Sequence, residues 1–133
     1  MAIIQSMNHF TVLTDNLDST REFYRDLMGL VEGPRPAFKF PGIWFYAGDN
    51  PILHVISGRE MPADPAGVLD HMAFTAHDLP ATAAKLKQRG IGYDLRRLPG
   101  YGQWQLFCRD PSGAVVELDF DKDEAAPPDH QAA

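Results

Sequence analysis

The chain has 133 residues, 44% hydrophobic and 23% charged, an ordinary composition for one globular domain or two small halves sharing a core. Its formal net charge of −6 argues against a sequence-independent grip on nucleic acid, which needs clustered lysine and arginine. The single cysteine, Cys108, excludes an internal disulfide and reads as a small buried hydrophobe in a reducing compartment. The opening "MAIIQSMNHF" lacks the basic-then-apolar layout of a secretory leader, and no stretch approaches the roughly 18 apolar residues of a membrane span. The expectation is a cytoplasmic protein with neither membrane nor nucleic-acid partners.

In chain order, alternation predicts a first strand over residues 7–13. In "TDNLDSTREFYRDLMGL", Leu17, Thr20, Phe23, Tyr24, Leu27 and Met28 recur at helical spacing. Asp15, Asn16 and Asp18 are available as caps, and Gly29 as the left-handed stop. Extended segments follow at 38–40, 43–47 and 52–57, the last two joined by the turn "GDNP". A proline- and glycine-rich linker covers 58–68. A second strand–helix pair follows: a strand at 69–75, then "AHDLPATAAKLKQRGI", with Asp78 as cap, Pro80 in the first turn, Ala83 and Leu86 facing inward and Gly90 ending it. Strands at 92–98, 103–109 and 114–120 complete this half, with "DPSG" turning between the last two. The tail, "DKDEAAPPDHQAA", has no periodicity and is expected to be disordered, with His130 in solvent. The pattern is an α+β chain of two βαβββ repeats in one domain, 1–120, with repeats at 7–57 and 69–120 and a tail at 121–133.

Side chains alternate along a strand, so neighbours two apart share a face. His9 opposes Phe10 and Val12, and His71 opposes Met72 and Phe74. In the last strand of each half, His54 opposes Leu53 and Val55, while Glu117 opposes Val116, Leu118 and Phe120. His9 and His71 stand 62 residues apart, and His54 and Glu117 stand 63 apart. Two positions of one repeat thus each carry a potential metal ligand twice. Imidazole nitrogens and a carboxylate, held rigidly on strands, suit a divalent transition metal with positions left open. Trp44, Tyr46, Tyr101, Gln103 and Trp104 are candidate substrate contacts beside Phe38 and Phe40, and their aromatic character disfavours a strongly polar substrate. Arg96 and Arg97 form the one adjacent basic pair and read first as solvated.

With "NHFTVLTDNLDSTREFYRDLMGL", "LDHMAFTAHDL" and "QLFCRDPSGAVVEL", residues 7–120 resemble a single-module member of the vicinal oxygen chelate superfamily, the group of glyoxalase, bleomycin-resistance and extradiol dioxygenase proteins. The resemblance implies a glyoxalase/bleomycin-resistance-like fold of curved mixed sheets making paired half-barrels. It implies that His9, His71 and Glu117 are ligands of one divalent cation per site, of iron, nickel, zinc, manganese or cobalt. His54 stands where some members place a fourth ligand, and it reads equally as a base or substrate contact. A homodimer, with ligands drawn from one chain or both, is implied as well.

The first expectation of activity is a metal-dependent lyase or isomerase that chelates vicinal oxygens of a small substrate and stabilises an enediolate, with Glu117 or His54 moving the proton. Glutathione is not expected as cosubstrate, because His54 replaces the usual carboxylate and Leu13 an arginine that often holds the glutathione carboxylate. A non-haem Fe(II) dioxygenase acting on an aromatic ring is the alternative, and a non-catalytic drug-binding protein the third.

Overall fold

In the computed structural model, which describes residues 2–130, the chain divides into two compact units, Met1–Ala63 and Asp64–Ala133. Each is one copy of the expected repeat. The first runs β1 (Phe10–Thr14), α1 (Leu17–Arg21), β2 (Val31–Gly33), β3 (Gly42–Ala47) and β4 (Asn50–Ser57). The second runs β5 (Met72–Thr75), α2 (Leu79–Gln88), β6 (Asp94–Arg97), β7 (Trp104–Arg109) and β8 (Val115–Phe120). Sheet order is β1-β4-β3-β2 in the first and β5-β8-β7-β6 in the second, so the two sheets have the same topology.

In the first unit, Asn16 caps α1, its side chain accepting from the Ser19 N–H at 3.1 Å. The buried Thr20 hydroxyl bonds that of Thr14 at 2.8 Å, tying the helix to the end of β1. The helix then widens into a π-helical stretch, Glu22–Leu27, whose i→i+5 bonds include Met28 N–H to Phe23 C=O at 3.0 Å. This turn buries Phe23, Tyr24 and Leu27, while Ile43, Phe45, Leu53 and Val55 supply the sheet's side of the core. Each such large side chain contributes about 1.5–3 kcal/mol by leaving water. Gly29, at φ 84°, closes the helix as its sequence position predicted.

In the second unit, Leu79, Ala83 and Leu86 are the buried stripe of α2. They belong to a core with Met72, Leu106, Cys108, Val116, Leu118 and Phe120. Burial pushes the Cys108 thiol up to about 11, which makes it an inert packing group.

Three expectations change. The strands expected to carry His9 and His71 begin later than alternation suggested, at Phe10 and Met72, so the two histidines immediately precede them. Residues 38–40 are not a strand: the pairing partner of β3 is β2, and Pro34, Pro36 and Pro41 strip donors from the intervening loop. Within it the Phe38 N–H closes a tight turn onto Pro36 C=O at 2.8 Å. The tail through residue 130 is seated rather than frayed. Glu124 accepts from the N–H groups of Asp78 and Leu79 at 3.1 and 2.6 Å, satisfying the start of α2. Pro127 is buried, Asp129 pairs with Lys87, and the half-buried His130 meets Trp104 edge-on at 5.4 Å. Residues 131–133 lie outside the described residues.

Candidate functional site

In the first unit, the face of the sheet opposite the core is organised by rings. Parallel pairing of β1 with β4 sets Thr11 beside His54, and antiparallel pairing of β3 sets Trp44 on its other side. His54 stacks on Trp44 (centroids 4.0 Å apart, planes at 10°) and His9 stacks on His54 (3.7 Å, 17°). Nε2 of His54 donates to Pro51 C=O at 3.1 Å, leaving Nδ1 as its lone-pair nitrogen. Burial, then the proximity of His9 and Arg35, lowers the His54 pKa and keeps its ring neutral at pH 7. Nδ1 of His9 lies 2.7 Å from the Asn8 side-chain oxygen, which leaves Nε2 of His9 free to ligate.

The second unit repeats the placement with different chemistry. Glu117 lies between Ala73 of β5 and Phe107 of β7, as His54 lies between Thr11 and Trp44. His71 Nδ1 is 2.7 Å from the Asp70 carboxylate, the same use of the preceding side chain as at His9. Its Nε2 is 3.0 Å from Oε1 of the buried Glu117. The His71 pKa is raised, first by the Asp70 hydrogen bond and then by the charges of Glu117, Asp70 and Asp119. Gln105 approaches the other Glu117 oxygen at 3.4 Å. Asp119 lies two residues beyond Glu117 along the same strand face. Burial first, and that carboxyl neighbour second, push Asp119 up to about 6. Its Oδ1 is buried without a partner among the described residues.

These distances test the fit to a metal. Two ligands each about 2.1 Å from a cation and at right angles to one another are about 3.0 Å apart, which is the His71–Glu117 separation of 3.0 Å. A carboxylate on the far nitrogen, as Asp70 provides, is the usual support for a ligating imidazole. His9 offers Nε2 in the same way. His54 fits less well: its Nε2 is committed to Pro51, and parallel stacked imidazoles run their in-plane lone pairs side by side instead of converging. Among the described residues, neither unit by itself gathers three or more histidine, cysteine or acidic side chains as a cation cage. The pairs His9–His54 and His71–Glu117 each form within one unit.

The expected substrate contacts separate. Trp44 lies on the face of the first sheet that bears His54, and Tyr46 follows it there with its hydroxyl donating to Pro34 C=O. Gln103 lines an open cleft of ≈ 400 Å³ in the second unit with Thr75, Gln105 and Asp119. Trp104 points the other way, into the core, with its Nε1 donating to Glu124 C=O at 3.0 Å. Tyr101 is largely exposed in the turn before β7. Sequence reasoning missed Asp119, whose two-residue spacing from Glu117 was the available signal. It also missed the orienting roles of Asn8 and Asp70.

A sequence model of the Glyoxalase/Bleomycin resistance protein/Dioxygenase superfamily matches residues 6–118. The curated protein "Glyoxylase I 4" of Arabidopsis thaliana is 28% identical over 124 residues, spanning 86% of this chain and 70% of that protein. Lactoylglutathione lyase from Agrobacterium tumefaciens superposes with a TM-score of 0.67 at 22% identity, covering 91% of this chain and 97% of that one. A variant of the fosfomycin resistance protein FosX from Listeria monocytogenes, solved with Mn(II) and 1S,2S-dihydroxypropylphosphonic acid, superposes with a TM-score of 0.71 at 14% identity, over 89% and 93% of the two chains. At these identities the two structures attest the fold alone.

Proposed function

Because this chain belongs to the Glyoxalase/Bleomycin resistance protein/Dioxygenase superfamily, we propose that it is a metal-dependent lyase or isomerase that moves a proton on a small substrate carrying two neighbouring oxygens. The observation that carries this reading is the His71 Nε2 to Glu117 Oε1 distance of 3.0 Å, with Nδ1 anchored on Asp70. That is an imidazole and carboxylate pair spaced as adjacent ligands, once a cation takes the place of the proton between them.

His9, His71 and Glu117 hold the cation in this proposal, supplied by one chain or by the two chains of a homodimer. A divalent iron, nickel, zinc, manganese or cobalt ion, when bound, supplies open positions for vicinal oxygens and Lewis acidity toward the enediolate that proton removal leaves. Asn8 and Asp70 orient the two histidines and fix which nitrogen carries the lone pair. His54, kept neutral by burial and held by Pro51, takes the carbon-bound proton on Nδ1 and returns it. Trp44 walls off water on one side of that base. In the cleft, Gln103, Gln105 and Asp119 present hydrogen-bonding groups to the polar end of the substrate.

The test is a panel of α-hydroxycarbonyl and dicarbonyl compounds incubated in D2O with metal-loaded protein. Deuterium enters at the carbon bearing the transferred proton, at least tenfold more slowly with His54→Phe. No exchange with any compound, alongside iron-dependent oxygen consumption on a catechol, would replace this reading with a ring-cleaving dioxygenase. The two-histidine, one-carboxylate set and the row of stacked rings at His9, His54 and Trp44 favour that second reading.

A further inference from the structure

Above the ligand face of the first unit, the loop between β2 and β3 holds a cation that the proposed proton transfer does not use. Gly42 and Trp44 share that face of β3, and a side chain at Gly42 would lie 2.3 Å from Val55 C=O and 3.0 Å from Arg35 Nη2. The bare backbone at Gly42 therefore makes room for the Arg35 guanidinium, beside the stack of Trp44, His54 and His9. Arg35 is pre-set there: Pro34 and Pro36 flank it, and the residue before a proline is confined to extended backbone. Its Nη2 donates to Phe40 C=O at 3.2 Å, while its Nε is buried without a partner among the described residues.

Arg35 is also uncompensated. Arg21 and Arg25 pair with Asp18, Asp26 and Glu32, whereas Arg35 and Arg59 meet no carboxylate among the described residues. Both instead lie over one ring, 5.4 and 5.7 Å from the centre of Phe40, and Arg35 is 5.0 Å from that of Phe38. Phe38 stacks on Phe40 at 4.9 Å and tilts toward Trp44 at 6.4 Å. Two unpaired guanidiniums thus stand at one end of a continuous aromatic surface. Flat rings offer stacking area, and a guanidinium offers a carboxylate paired, charge-assisted hydrogen bonds.

We propose that this face of the first unit is a subsite for a planar aromatic carboxylate, its ring against Trp44 and Phe38 and its carboxylate on Arg35 with Arg59 beside it. The subsite rests on the preceding reading only for what becomes of the bound acid. Binding itself needs no metal ion.

The test is isothermal titration of the intact protein with trans-cinnamate, trans-cinnamamide and cyclohexanecarboxylate at fixed ionic strength, with and without chelator. Cinnamate binds about tenfold tighter than the neutral amide, and tighter than the non-aromatic acid, under both conditions. Arg35→Met erases the acid–amide difference while leaving amide affinity in place, which shows the fold intact. In Trp104→Phe, where Trp44 is the sole tryptophan, cinnamate quenches fluorescence. Equal affinity for acid and amide, an unchanged ratio in Arg35→Met, or no binding of any probe overturns the proposal. Persistence of binding in chelator separates its fate from that of the metal assignment.

Discussion

At His71 two carboxylates compete for the protons of one ring. Asp70 accepts from Nδ1 at 2.7 Å and Glu117 faces Nε2 at 3.0 Å, so without a bound metal both contacts favour protonation of the ring. The His71 pKa is accordingly raised, and Asp119 behind Glu117 is pushed up to about 6. Both shifts make the folded state bind more protons than the unfolded one. Their stabilisation is therefore complete below the unfolded pKa values and is lost as pH rises through the folded ones. In chelator, thermal unfolding of the wild type should fall from pH 5 to pH 8 relative to Asp119→Asn, which lacks one of the two titrations. A wild-type midpoint that rises relative to that variant contradicts the assignment. Metal binding has the opposite sign, since a cation displaces the Nε2 proton and gains affinity as pH rises. The histidines were legible in the sequence because a polar residue precedes each in the same pattern. What that residue does was not, because the Nδ1 contacts are side-chain geometry without a periodic signature. Asp119 escaped notice for a different reason: a single acidic residue near a chain end reads as solvated.

Strands and helices followed from periodicity wherever an apolar face drives them, as in β4, where Leu53 and Val55 are buried and His54 is turned away. Residues 38–40 read as strand because two of the three are aromatic, but they lie in the loop at 34–41, where three prolines remove the donors a ladder needs. The tail failed for the converse reason. It has no periodicity because it adds no helix or strand; its backbone and side chains instead satisfy groups elsewhere. Glu124 reaches the N–H groups of Asp78 and Leu79, at a helix start where Asp78 takes up the left-handed φ of 65°. Glu124→Ala should destabilise the protein by about 0.5–2 kcal/mol, the range of lost helix caps. The same substitution should shift tryptophan emission in Trp44→Phe, where only Trp104 reports on the tail. Unchanged chemical denaturation and unchanged emission would show that the tail does not cap α2.

The two halves repeat one plan and diverge at the residues that carry chemistry. Trp44 beside His54 corresponds to Phe107 beside Glu117, each pair separated by 63 residues from its counterpart. One copy has become an aromatic, nitrogen-bearing face and the other a carboxylate-rich one, with Asp70, Glu117 and Asp119 around His71. This duplication made the fold readable from 133 residues alone, and it singled out the proposed ligand positions, because each position was written twice. The division of labour between copies was less readable, since it depends on which ring stacks on which. The central claim is that His9, His71 and Glu117 hold a divalent cation. Its most direct test is elemental analysis with metal titration of freshly purified protein and its variants. The wild type and His54→Phe should carry about one divalent cation per chain, and Asp70→Ala should bind about 10–100-fold more weakly. His9→Ala, His71→Ala and Glu117→Ala should each lose it. Full metal content in all three, with each variant folded, would contradict the account.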